Sequence, residues 1–108
     1  MNKQIIDILQ PLSVPVGFLK YNGTETTYIT FFFYNEYGVL RADDQEVKTN
    51  YSLQVDVFSK GNYKTLVNQV KQALKNIGYE RTFATDLYED DTKFYHKVLR
   101  FKITSEVE

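Results

Sequence analysis

Residues that could do chemistry are few in this 108-residue chain. His96 is the single histidine, set between Tyr95 and Lys97 with Arg100 close behind. A lone imidazole could serve as a general base or a pH-sensitive contact. As a metal ligand it needs several partners, and no HExxH or comparable spacing occurs. We favour the plainer reading, an exposed or interfacial strand residue. Ser13, Ser52, Ser59 and Ser105 stand outside any glycine-rich nucleophile elbow. The absence of cysteine removes disulfides, thiolate metal sites and thiol nucleophiles. Asp43, Asp44 and Glu46, or Asp86, Glu89, Asp90 and Asp91, could gather a hard cation. Neither group shows the alternating carboxylates and central glycine of a calcium loop, so both read as solvated turns. The five glycines form no phosphate-cradling loop. The chain is expected to be no enzyme and to hold no cofactor or metal.

Charge placement says more than charge total. Residues 86–91 hold four acids and no base, and residues 93–102 hold four bases and no acid. The stretch 36–46 is net −3, while Lys64, Lys71 and Lys75 share one helical segment. These are either unrelated solvated patches or the two halves of a contact in which the acidic surface of one copy meets the basic surface of the next. A net charge of −1 gives no basic balance for holding a nucleic-acid backbone. The aromatic run from Tyr28 to Tyr34 lacks the basic residues that accompany a base-stacking platform, which disfavours a single-stranded nucleic-acid binder.

The elements that must position these residues follow from hydropathic period. Tyr63, Leu66, Val67, Val70, Ala73, Leu74 and Ile77 recur at steps of three and four, predicting an amphipathic helix. Asn62 is its expected cap, Gly78 its expected left-handed terminator, and Tyr79 is placed to fold back over the last turn. Asn2 to Leu12 reads as a shorter helix limited by Pro11, with Ile5, Leu9 and Leu12 on one face. Phe18 to Tyr21 reads as a short strand followed by a tight turn at Asn22-Gly23. Thr26 to Tyr34 is the strongest strand, with bulk on both sides: Ile29, Phe31 and Phe33 on one, Tyr28, Phe32 and Tyr34 on the other. It is therefore expected to be central, covered by helices on one side and by something else on the other.

Asn35 to Val47 shows no period and is expected to be a functional or mobile connection. Lys48 to Phe58 alternates, with Tyr51, Leu53, Val55 and Val57 inward. Arg81 to Tyr88 and Lys93 to Thr104 read as a hairpin turning at residues 89–92, and residues 105–108 as a frayed tail. In the last strand Tyr95, Leu99, Phe101 and Ile103 share a face with Lys97, opposite His96, Arg100 and Lys102. The fold class is α+β, in the order α-β-β-β-α-β-β. A small mixed or mainly antiparallel sheet of four to five strands carries two helices largely on one face, and residues 1–108 form one domain. The first residues lack the apolar core of a signal peptide, and no run approaches a membrane span, so the expected location is the cytoplasm with no membrane contact.

An ordered series of segments carries a family resemblance: Thr27-Tyr28-Ile29-Thr30-Phe31, then Ala42-Asp43-Asp44, then Tyr51-Ser52-Leu53-Gln54-Val55-Asp56-Val57-Phe58-Ser59-Lys60 leading into a helix. Gly78-Tyr79 follows, then Asp86-Leu87-Tyr88-Glu89-Asp90-Asp91-Thr92, Tyr95-His96-Lys97 and Arg100-Phe101. Over nearly its whole length the chain resembles the small tail-completion proteins of long-tailed bacteriophages and prophages, variously called tail terminators or tail-to-head joining proteins. The resemblance implies a structural role in which a hexameric ring caps the tail tube, stops its growth and meets the head connector. Subunits could be monomeric until docked, and DNA would pass through the lumen without specific binding. Host cytoplasm during assembly and then the virion tail would be its locations.

By the same analogy, contacts to the ring and tube would come from the strand and loop between Tyr28 and Glu46 and from the hairpin around Asp90. The candidate interface residues are Tyr28, Phe32, Tyr34, Tyr37, Arg41, Asp43, Asp44, Glu46, Glu89, Asp90, Asp91, Lys93, Lys97 and Arg100. The alternative is a small intracellular adaptor that binds another protein through an exposed aromatic strand edge.

Overall fold

Tyr51 to Val57, the cleanest alternation in the chain, lies in the middle strand of a five-stranded sheet. The computed structural model describes residues 2–40 and 47–106. Its strands are β1 (Val16–Phe18), β2 (Thr27–Leu40), β3 (Val47–Ser59), β4 (Glu80–Glu89) and β5 (Phe94–Glu106). Its helices are α1 (Asn2–Leu9), extended by a 3-10 turn at Gln10–Leu12, and α2 (Lys64–Asn76). Strand order across the sheet is β1-β2-β3-β5-β4, with β1 parallel to β2 and every other pairing antiparallel. The α+β class and the element order agree with the sequence reading.

Both helices cover one face. Ile5 and Leu9 of α1 and Val67, Val70 and Leu74 of α2 meet Ile29, Phe31, Leu53, Val55, Val57, Leu99 and Phe101 in one buried cluster. The strand members all belong to one parity of the register, so a single face of the pleat supplies the core. Burial at about 1.5–3 kcal/mol per large side chain makes this cluster the main stabilising term.

Helix α2 is closed at both ends as its sequence suggested. Asn62 Oδ1 accepts the Lys64 N–H at 2.9 Å. At the far end Gly78 takes φ +99°, a region costly for residues with a Cβ. Its N–H reaches the Lys75 carbonyl at 3.0 Å, and the Tyr79 N–H reaches Leu74 at 3.0 Å. This paired closure turns the chain directly into β4 and leads Tyr79 into the buried cluster.

Five expectations are corrected. The first strand is Val16–Phe18 rather than Phe18 to Tyr21, because Leu19 adopts φ 69° and turns the chain out. Since β1 is parallel to β2, Asn22-Gly23 is not a hairpin turn. The strand beginning near Thr26 is second from the edge, and β3 is central. Strand β2 also continues to Leu40, and β3 starts at Val47, so much of the expected connection is sheet. A bulge between Phe33 and Asn35 breaks the alternation there, hiding the strand from a period-two reading. Finally, Ser105 and Glu106 belong to β5, paired with Thr49 and Lys48, rather than to a frayed tail. The long strands stretch the molecule to 52 × 25 × 23 Å.

Candidate functional site

The face of the sheet opposite the helices is covered by no other element among the described residues, yet it is rich in rings. Tyr28 of β2 stacks on Phe58 of β3 at 4.7 Å and 19°. Tyr21 closes on Tyr28 from the edge at 4.5 Å, and Phe94 meets both Tyr28 and Phe58 edge-on. Lys60 Nζ lies 5.2 Å from the centre of the Phe94 ring. Burial raises the Tyr28 phenol above its ordinary pKa, with the nearby Glu89 charge adding to the effect. A second group sits further along: Phe32 contacts Tyr34, and the Arg100 guanidinium lies 5.4 Å from Tyr34 and 5.1 Å from Phe83. Such ring pairs and cation–ring contacts are each worth about 0.5–1.5 kcal/mol.

Between the two groups runs a polar chain. His96 stacks on Phe58, and its Nε2 is 2.7 Å from Asp56 Oδ1. Gln54 Nε2 donates to both Asp56 oxygens at 3.0 and 3.1 Å, and Gln54 Oε1 accepts Arg100 Nε at 3.2 Å. Asp56 is only 5% exposed, and its neighbours supply the partners that a buried carboxylate requires. These bonds join β3 and β5 in one connected polar network, and among the described residues no group of three or more acids and histidines is placed to hold a metal ion.

The candidate interface residues distribute unevenly. Tyr28, Phe32, Tyr34 and Arg100 share the helix-free face. Glu89, Asp90, Asp91 and Lys93 form the exposed tip of the β4–β5 hairpin. There Thr92 Oγ1 donates to Glu89 Oε1 at 2.9 Å, and Lys93 at φ 65° donates its N–H to the Glu89 carbonyl. Lys97 lies on the opposite face from Arg100, where its amine donates to Asp86 Oδ2 at 3.1 Å. The Tyr63 hydroxyl donates to Asp86 Oδ1 at 2.6 Å, and together these bonds hold the Asp86 carboxyl below its usual pKa. Tyr37 is in register with Asn50 on the extension of β2. Arg41, Asp43, Asp44 and Glu46 lie outside the described residues.

Sequence reasoning passed over Phe58, Phe94 and Phe83, and the pairing of His96 with Asp56. Period two already placed Asp56 off the core face, and His96 shared a parity with Arg100. The signal that could have joined them was the aromatic bulk found on that same parity.

The chain matches the family model described as "Tail completion protein gp17" over residues 22–106. It belongs to that family. This tail-completion protein is accordingly a structural component of a phage-type tail. A solved chain from the virion of a native gene transfer agent (GTA) particle shares its fold. The TM-score is 0.63 at 12% identity, over 98% of this chain and 91% of that one. No curated protein matches the sequence.

Proposed function

We propose that the protein forms a ring, expected to be hexameric, at the end of a tail tube. There it ends tube growth and joins the tail to the head connector. The observation that carries this reading is the family match across residues 22–106. The uncovered aromatic face adds support, because Tyr34, Phe83 and Leu87 leave large apolar side chains nearly half exposed there, surface that other molecules can cover. DNA would pass through the lumen with no specific contact. Subunits would be monomeric in the host cytoplasm until docking orders them on the tube. No described helix is long and apolar enough to cross a membrane.

The test is electron microscopy of tails assembled with and without the protein, alongside native mass measurement with and without tail-tube protein. Tubes of defined length carrying a terminal ring are expected only when it is present. Unchanged tube lengths and no association with tube or connector would remove the reading. A second reading, an adaptor using a strand edge, draws on β4, an edge strand with Phe83 and Leu87 exposed at 43% and 49%. It predicts binding to a partner outside the tail.

A further inference from the structure

We infer that the acidic tip of the β4–β5 hairpin in one copy docks into a basic cleft between α2 and β4 of a second copy. This rests on the ring reading and assigns the surfaces that would close the ring. The cleft, of about 270 Å³, is lined by Lys71, Lys75, Tyr79, Glu80, Arg81 and Phe101. Lys71 and Lys75 are stacked one turn apart on α2, and Arg81 faces them from the start of β4. None of these three cations has an ion-pair partner among the described residues. Glu80, the one acid in the wall, has its carboxylate 4.0 Å from Lys102. Burial lowers the Lys71 pKa, and the charges of Arg81 and Lys97 lower it further, with Asp86 opposing them. The group is thus positively charged, crowded and short of a counter-charge.

The complementary surface is on the same chain but out of its own reach. Asp90 and Asp91 are exposed on a turn whose backbone is fixed by the Glu89–Lys93 bond, and neither has a cationic partner among the described residues. Among the other acids of the hairpin, Asp86 pairs with Lys97, Glu80 lies nearest Lys102, and Glu89 accepts the Thr92 hydroxyl at the tip itself. Strand β4 runs from the cleft to the tip, a separation of about 30 Å at the usual rise per residue. Tip and cleft therefore meet only between copies. Two different patches joined in this way make a head-to-tail contact, which repeats around a ring when the rotation closes.

Charge reversal tests the pairing. A cleft variant (Lys71→Glu with Arg81→Glu) and a tip variant (Asp90→Lys with Asp91→Lys) are compared with the wild type by sedimentation in the presence of tail-tube protein, after circular dichroism confirms folding. Each variant alone is expected to assemble at least about tenfold more weakly, since like charges then face each other. A one-to-one mixture is expected to recover assembly, because each altered tip then finds an oppositely charged cleft. If either reversal unfolds, the neutral versions (Lys71→Gln with Arg81→Gln, Asp90→Asn with Asp91→Asn) must weaken assembly and flatten its salt dependence.

Variants that assemble as the wild type does, or a mixture that stays dissociated, overturn the inference while leaving the ring reading intact. Wild-type protein that never self-associates on tubes removes both. A parallel titration with duplex DNA separates the competing occupant. Loss of DNA retention by the cleft variant, with assembly unaffected, would assign the cleft to phosphate and overturn the pairing of copies.

Discussion

His96 lies flat on Phe58, with ring centres 4.1 Å apart, and its Nε2 is 2.7 Å from Oδ1 of Asp56, a diagonal neighbour on the adjoining strand. Asp56 is thereby the anchor of the open face, holding His96 on one side and Gln54 on the other. Asp56→Ala strips acceptors from both at a buried position. A loss of about 1–3 kcal/mol is expected, read as a lower urea midpoint at unchanged m-value. Stability equal to the wild type would show that the network contributes nothing to folding.

Asp86 predicts a pH dependence. The Tyr63 hydroxyl and Lys97 hold its folded pKa below the ordinary 3.8. Its contribution is therefore present above the unfolded value and is lost as pH falls through the lower folded one. Urea midpoints between about pH 5 and 2 should fall less steeply for Asp86→Asn than for the wild type. Tyr63→Phe, which removes the donor, should move the acid limb the same way. Identical acid limbs in all three proteins would contradict the assignment.

Tyr79 carries a buried hydroxyl with no hydrogen-bond partner among the described residues. Burial pushes its pKa up to about 12, and Tyr51 adds to the shift. Tyr79→Phe removes the unmatched group and keeps the ring in the core. Stability should stay level or rise by up to about 2 kcal/mol. A clear loss in thermal or chemical unfolding would mean that the hydroxyl has a partner.

Tyr34 and Phe83 are 45% and 43% exposed, so neither is a core residue. Truncating either to alanine should cost the isolated chain less than about 1 kcal/mol. If the helix-free face is covered in the assembled tail, the double variant should finish far fewer tails in a micrograph count. A normal yield of finished tails would restrict assembly contacts to other surfaces.

Legibility in the sequence followed the depth of the core. Helix α2 and strand β3 were readable because Val67, Val70 and Leu74, or Leu53, Val55 and Val57, are all buried on one side. Beyond Tyr34 the strand leaves the buried core, and Asn35 and Glu36 are both exposed, so no apolar period marks it. The His96–Asp56 bond joins residues 40 apart in sequence, and only the register of β3 against β5 brings them together. The apparent separation of charge along residues 86–102 was partly an artefact of linear order. The hairpin folds Asp86 onto Lys97, and the acids left over are those at the tip.

One unpaired residue at Tyr34 decides which way the arm beyond it looks. Glu36 is aligned with Tyr51 and borders the hollow beside Asn2 and Lys3, while its predecessor Asn35 is aligned with Ser52. Deleting Tyr34 would close the bulge and leave Asn35 opposite Ser52 and Glu36 opposite Tyr51, without touching a single core side chain. The far half of β2 can thus change its bend and twist by the loss of one residue, while the faces on either side of that point and the body that carries them stay the same.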